Sequence, residues 1–181
     1  VYNETDNLIY CLTSNSLYVI NLTSLEVSHT INGYFVYSES LVYIKDENAI
    51  LIVCPNKIVI IKNLAFEREY ILDSFKENLR CIVYSQLHKF GCLLSYNDCH
   101  LIDFRNVIEP VFISKFEDTN LSGISSGIIE KTNSYIYGIC YSENKIVQLD
   151  IIDKCRGLLI NTYEHDALIN PREIVYSGVR D

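Results

Sequence analysis

Apolar and polar positions alternate along this chain in a pattern that recurs with a period of 41 residues. Three asparagines, Asn15, Asn56 and Asn97, mark the period. A short apolar run precedes each: Leu8–Leu12, Ala49–Val53 and Phe90–Leu94. Another follows each: Leu17–Leu22, Ile58–Ile61 and Cys99–Phe104. A fourth copy, displaced by an insertion, centres on Asn144 between Tyr135–Cys140 and Ile146–Ile151. Runs of this length, separated by Asn-, Ser- and Pro-containing turns, predict strands joined in hairpins. Asn suits such turns because it tolerates left-handed backbone and bonds its own main chain.

Each copy carries two more predicted strands. One follows the hairpin: Glu26–Ile31, Glu69–Leu72, Val111–Phe116 and Gly157–Tyr163. One precedes it: Leu41–Ile44, Ile82–Ser85, Gly127–Ile129 and Ile174–Ser177, with Val1-Tyr2 in the same register at the start. The strands after the Asn turns are apolar on both sides of the pleat, as Leu17 to Leu22 shows. A surface strand alternates, whereas a strand covered on both faces is continuously apolar. A parallel α/β sheet also covers both faces, but it requires crossover helices. Only Glu67–Asn78 approaches a helical period, and it is short.

A period of roughly 40 to 45 residues holding four short strands is the signature of a β-propeller blade. The expected fold class is therefore all-β: a β-propeller-like domain of about four blades of four antiparallel strands, partial or small. The blades are expected at 1–32, 33–73, 74–117 and 118–164, with 165–181 supplying the first strand of a further or closing blade. An open stack of blades exposes apolar faces and strand edges. The strand at Ile174–Tyr176 is thus expected to pair with the Leu8–Leu12 sheet, or the chain is one part of a larger ring. The chain lacks an initiating Met and is expected to be an excerpt or a processed product.

The unit Leu17-Tyr18-Val19-Ile20-Asn21-Leu22-Thr23-Ser24-Leu25-Glu26-Val27, closing on His29-Thr30-Ile31, resembles a blade of the WD40/YVTN-type β-propeller superfamily. The matching strand tails are Ile20-Asn21, Ile61-Lys62, Ile102-Asp103 and Leu149-Asp150. The sequence departs from the WD40 pattern in having no Trp-Asp dipeptide and no Gly-His pair. The resemblance implies a non-catalytic scaffold that binds other proteins on its end faces, including a chain or segment completing the propeller. A secreted or surface propeller that binds glycans or small ligands, and a propeller enzyme with a channel-lining site, stand as alternatives.

Charge and chemistry narrow this further. Fifteen Lys and Arg against 23 Asp and Glu give a net charge of −8. The basic residues are scattered singly, which disfavours nucleic acid and anionic membranes. No apolar run approaches the ~20 residues of a membrane span. Seven cysteines, mostly inside apolar runs, point to free buried thiols in a reducing, cytoplasmic setting. The sequons at Asn3, Asn21 and Asn120 keep a secreted reading open.

No cofactor, metal or catalytic residue is expected. Cys92, Cys99 and His100 could supply zinc ligands, but core packing explains them better. His29 and His88 sit at strand ends, and Glu164-His165-Asp166 reads as a solvated loop. The insertion is placed in 117–127, and Glu117, Asp118, Thr119, Asn120, Leu121 and Ser122 are the candidate partner-contact loop, because function concentrates in loops that depart from a regular scaffold. Fourteen tyrosines add weight to a binding role, although many serve strand packing.

Overall fold

The computed structural model describes residues 1–33, 35–71, 79–130, 135–150 and 158–174. They form four antiparallel four-stranded sheets, each meandering in chain order. The first holds β1 (Tyr2–Asn3), β2 (Leu8–Leu12), β3 (Ser16–Asn21) and β4 (Glu26–Asn32). The second holds β5 (Ser40–Ile44), β6 (Ala49–Cys54), β7 (Lys57–Lys62) and β8 (Ala65–Ile71). The third holds β9 (Cys81–Ser85), β10 (Phe90–Leu94), β11 (Asp98–Asp103) and β12 (Val111–Glu117). The fourth holds β13 (Ile124–Ile129), β14 (Tyr135–Cys140), β15 (Lys145–Asp150) and β16 (Leu158–Glu164). The all-β class read from the sequence is the class observed.

The chain divides into two compact units: Val1–Leu79 with Asn106–Pro110, and Arg80–Arg105 with Val111–Asp181. Each unit has its own core. In the first, Tyr10, Leu17 and Val19 pack with Phe35, Ile50, Ile52, Val59 and Ile61. In the second, Val83, Phe90, Cys92, Leu94 and Leu101 pack with Leu121, Ile124, Ile136 and Val147. Each fully buried aliphatic contributes about 1.5–3 kcal/mol relative to an exposed one. The continuous apolar runs are the buried strands: β6, β9 and β10 are buried along their whole length. The fourth strands β4 and β8 are mostly exposed, and they are the more polar ones. Within the second unit, a Cβ on Gly127 of β13 would lie 2.7 Å from Leu94 Cδ1 and 3.0 Å from Val83 Cγ2. The absence of a side chain there lets the fourth sheet close onto the third.

The period is carried by backbone geometry more strictly than by side chains. Tyr2 pairs with Ile9, Tyr43 with Ile50 and Tyr84 with Gly91. A bulge interrupts the pairing of third and fourth strands in every sheet, between Val19/Ile20, Ile60/Ile61, Leu101/Ile102 and Gln148/Leu149. Bulges twist an outer strand and blunt its open edge against pairing with other chains.

Three readings of the sequence are corrected. Asn15, Asn56 and Asn97 do occupy hairpin turns, yet they are absent from the positive-φ residues, and only Asn144 is left-handed, with φ 50°. Pro55 precedes Asn56 and fixes a negative φ, which a primed turn forbids. In the first three sheets a left-handed residue recurs in the preceding connection instead, at Asn7 (φ 53°), Asn48 (φ 46°) and Lys89 (φ 54°), and others lie between third and fourth strands, at Leu25, Asn63 and Leu64. The carbonyls of Asn7, Asn48 and Lys89 accept from the amides of Leu22, Asn63 and Phe104 at 3.0, 3.1 and 2.8 Å. This tie binds the first connection of each of the first three sheets to the end of its third strand.

Secondly, the extra length of the last repeat is not housed in 117–127. The connection between β12 and β13 runs only from 118 to 123, against 72 to 80 between β8 and β9. Asp103 and Val111 are instead joined through 104–110, where Asn63-Leu64 suffices between Lys62 and Ala65. The connection from Ile129 to Ile136 is also longer than that from Ser85 to Phe90. Thirdly, the fourth strand of the second sheet, expected at Glu69–Leu72, is Ala65–Ile71; residues 72–78 lie outside the described residues, as do residues 175–176 of the expected closing strand.

Asn3 is a buried, multiply bonded polar group of the first unit. It is 2% exposed, its Nδ2 lies 3.1 Å from Tyr43 Oη, 3.3 Å from Tyr10 Oη and 2.9 Å from Asp6 Oδ2, and its Oδ1 accepts from the Thr5 amide. Asn3→Ala removes the donor shared by the Tyr10 and Tyr43 hydroxyls and the acceptor of the Thr5 amide, while Tyr43 keeps its bond to Asn48 Oδ1, so it is expected to cost about 1–2 kcal/mol. A shift of the thermal midpoint by several degrees checks this.

Candidate functional site

The predicted contact loop begins where β12 ends. Asp118 caps a single 3-10 turn, Thr119–Leu121, by accepting from the Asn120 amide at 2.8 Å. A short polar residue with extended backbone before a turn does this readily. Leu121 points inward and is fully buried in the core of the second unit. Glu117, Thr119 and Asn120 face solvent, and Ser122 is half-buried. The loop is therefore anchored by one apolar side chain and presents polar ones.

Backbone hydrogen bonds fasten it to two hairpin turns. The Asp118 amide donates to Asn97 O at 3.3 Å and the Gly123 amide to Tyr96 O at 2.9 Å. The Tyr141 amide donates to Gly123 O at 2.9 Å, and Ser142 Oγ donates to Ser122 O at 3.3 Å. The result is one surface formed by the loop, the Tyr96-Asn97 turn and the Tyr141–Asn144 turn. Tyr96 and Tyr141 are 44% and 39% exposed on it. The Arg172 guanidinium lies 5.9 Å from the centre of the Tyr141 ring, a cation–π contact. Glu117 pairs with Lys115, and Glu143 with Lys145, so the acidic side chains at the edge of the surface already have cations.

Next to this surface, where β11 leaves the Tyr96-Asn97 turn, lies a polar cluster centred on Asp98. Asp98 is 6% exposed; its Oδ1 accepts from Ser95 Oγ and lies 3.2 Å from His100 Nε2, while its Oδ2 lies 3.0 Å from Lys115 Nζ. Burial works to raise the Asp98 carboxyl, but the hydrogen bonds from His100, Ser95 and Lys115 outweigh it and hold the group down at about 2. Hydrogen bonding to Glu117 above all, against the opposing effect of burial, raises Lys115. Ser95 and His100 are both fully buried, and Ser95 donates to the carboxylate rather than to the imidazole. A serine nucleophile needs its base within hydrogen-bond reach and an open approach. The cluster is built to hold the turn rather than to react.

The register explains its position. Asp98 and Lys115 occupy the places that Lys57 and Glu69 hold in the second sheet, so the same ion pair recurs with its signs reversed. In the first sheet Ser16 takes the place of Lys57 and bonds Asn32. Sequence reasoning missed this network, although opposite charges at equivalent register positions were there to be found.

The other candidates disperse. His100 adjoins Cys99 on β11 and so projects to the opposite face, against the ring of Phe112 at 6.0 Å. The three groups of the zinc reading are thus not brought onto one face, and no cluster of three metal-ligating side chains occurs among the described residues. His88 stacks on Phe90 at 5.9 Å, and His165 Nδ1 accepts from the Ala167 amide. Of the sequons, Asn3 is buried and Asn21 half-buried, and Asn120 is exposed. No helix among the described residues is long and apolar enough to cross a membrane.

The four meandering sheets with recurring bulges define a β-propeller, and each sheet is a blade. Solved structures agree. The chain is similar to Kuenenia stuttgartiensis hydrazine synthase, with a TM-score of 0.78 and 13% identity over 95% of this chain and 63% of that one. It is also similar to the β-propeller domain of Myceliophteria thermophila Cps50 (Swd1), with a TM-score of 0.71 and 11% identity over 96% of this chain and 56% of that one. The chain thus spans less than two thirds of either structure. No family model and no curated protein matches it by sequence.

Proposed function

We propose that this chain is a non-catalytic protein-interaction scaffold of the WD40-like propeller kind, working inside the cell. One observation carries the reading: the loop Glu117–Ser122 and the turns at Tyr96 and Tyr141 are bonded into one preformed surface with two exposed tyrosines. Tyrosines held on rigid backbone give large amphipathic contact area at little entropic cost, the usual anchors of an interface. The polar, crowded nature of the Asp98 cluster supports binding over catalysis. The partner class is protein, including a chain or segment that supplies further blades, since both similar structures are longer. Nucleic acid and membrane are not part of the reading, given the −8 charge.

Affinity capture from the source lysate tests this with matched variants. Proteins retained by the wild type are expected to fall about tenfold or more with Tyr96→Ala and Tyr141→Ala, the scale of an interface anchor. Leu25→Ala, at an exposed site in the other unit, serves as the control. Equal retention by the wild type and all three variants would overturn the assignment of this surface.

A further inference from the structure

We propose that Cys92 and Cys99 form a dithiol pair that closes to an intramolecular disulfide when the chain meets a small-molecule disulfide such as oxidised glutathione. The two sulfurs lie 2.7 Å apart in the core of the second unit. A bonded pair stands at roughly 2.05 Å, so closure asks for a small approach of side chains already facing each other. The register explains how they meet. Cys92 opposes Leu101 and Cys99 opposes Leu94, which puts all four side chains on one face of the β10–β11 hairpin with the cysteines on a diagonal. The hairpin itself closes over Ser95–Asp98, so the bridge would span a short, already ordered loop.

The exchange balances without a metal or an enzyme. One thiolate attacks the reagent's sulfur, giving a mixed disulfide and one released thiol; the second thiolate attacks that mixed disulfide, forming the Cys92–Cys99 bond and releasing the second thiol. Two protons leave the cysteines and the two leaving thiolates take them up. Both sulfurs are inside the core, at 0% and 3% exposure, and burial pushes the Cys92 thiol well up, so attack from the closed native state is slow. Closure therefore accompanies opening or folding of the hairpin. Cys81 lies close enough to Cys92 to act on it electrostatically and is the internal competitor. The inference is independent of the scaffold reading, because neither sulfur belongs to the proposed contact surface.

Trypsin provides a direct readout, since Phe90–Arg105 carries Cys92 and Cys99 and no other of the seven cysteines. The full chain is refolded in a buffer of oxidised and reduced glutathione, alkylated without reduction and digested. The peptide is expected to carry no alkyl group and to be lighter by two hydrogens, in wild type and in Cys81→Ala alike. Its yield should exceed that from the chain held in denaturant by roughly tenfold, the effect of raised effective concentration. Recovery of the peptide with both thiols alkylated, with glutathione attached to both, or at the same yield in denaturant overturns the proposal.

Discussion

Asp98→Ala is expected to destabilise the second unit by about 3 kcal/mol, more than any other single side-chain deletion outside the apolar core. The substitution strands Lys115, Ser95 and His100 together, because one carboxylate serves all three. Removing one partner of a buried pair leaves an uncompensated charge, whereas removing both can be nearly neutral. Lys115 keeps partial access to water and a second partner in Glu117, which limits the cost. The double variant Asp98→Ala with Lys115→Met should accordingly recover at least half of the loss. The urea midpoint, followed by the tyrosine signal of a chain with 14 Tyr and no Trp, measures both. Equal loss in the single and double variants would remove the ion pair from the explanation.

The same carboxylate fixes an acid dependence. Its folded pKa of about 2 lies below the 3.8 of an ordinary aspartate, so the ionised form is favoured by the fold. That contribution is fully present above pH 4 and is lost as pH falls toward 2, amounting to about 2 kcal/mol. In Asp98→Asn the stability between pH 4 and pH 2 should fall less steeply than in wild type. Because the second blade carries the pair with signs reversed, exchanging Asp98→Lys with Lys115→Glu tests whether the site or the charge order matters.

Much of this architecture was legible in the spacing of apolar runs. The hairpin strands Leu8–Leu12, Phe90–Leu94 and Tyr135–Cys140 fall where the pattern put them, since strands covered on both faces must be continuously apolar. The fourth strands were harder, and Ala65–Ile71 was expected four residues later because its exposed positions carry little signal. Turn geometry was misread for a physical reason. Asn at 15, 56 and 97 suggested left-handed backbone, but in the first three sheets the left-handed residues stand in other connections, at Asn7, Asn48 and Lys89 before the second strand and at Leu25, Asn63 and Leu64 after the third. Lys89 at such a place could not be anticipated from residue preference. The candidate loop lay in the region singled out, yet not for the reason given, since the added length sits in 104–110. Its fastening to Tyr96 and Tyr141 runs through backbone amides and carbonyls, which leave no residue-type signature.

Gly123→Ala is the second large effect, and it reaches the proposed contact surface directly. Gly123 has φ +71°, and a Cβ built there would stand 2.1 Å from Ser142 Oγ, 3.0 Å from its Cβ and 3.1 Å from its amide nitrogen. The left-handed backbone costs an alanine roughly 1–2 kcal/mol, and the collision adds a similar amount, giving about 3 kcal/mol in all. The two contributions separate experimentally. Ser142→Gly removes the nearest atoms but not the backbone strain, so combining it with Gly123→Ala should restore about half of the loss. The damage should also be local. Gly123 donates to Tyr96 and accepts from Tyr141, so shifting it loosens both tyrosine turns while β9 and β10 remain packed. Amide exchange is expected to accelerate at Gly123 and Tyr141 well before it does at Cys92 or Leu93, and capture of partner protein should drop in parallel. Exchange that accelerates evenly through β9, β10 and the loop would mean that Gly123 supports the whole blade, and that the surface has no independent rigidity to offer a partner.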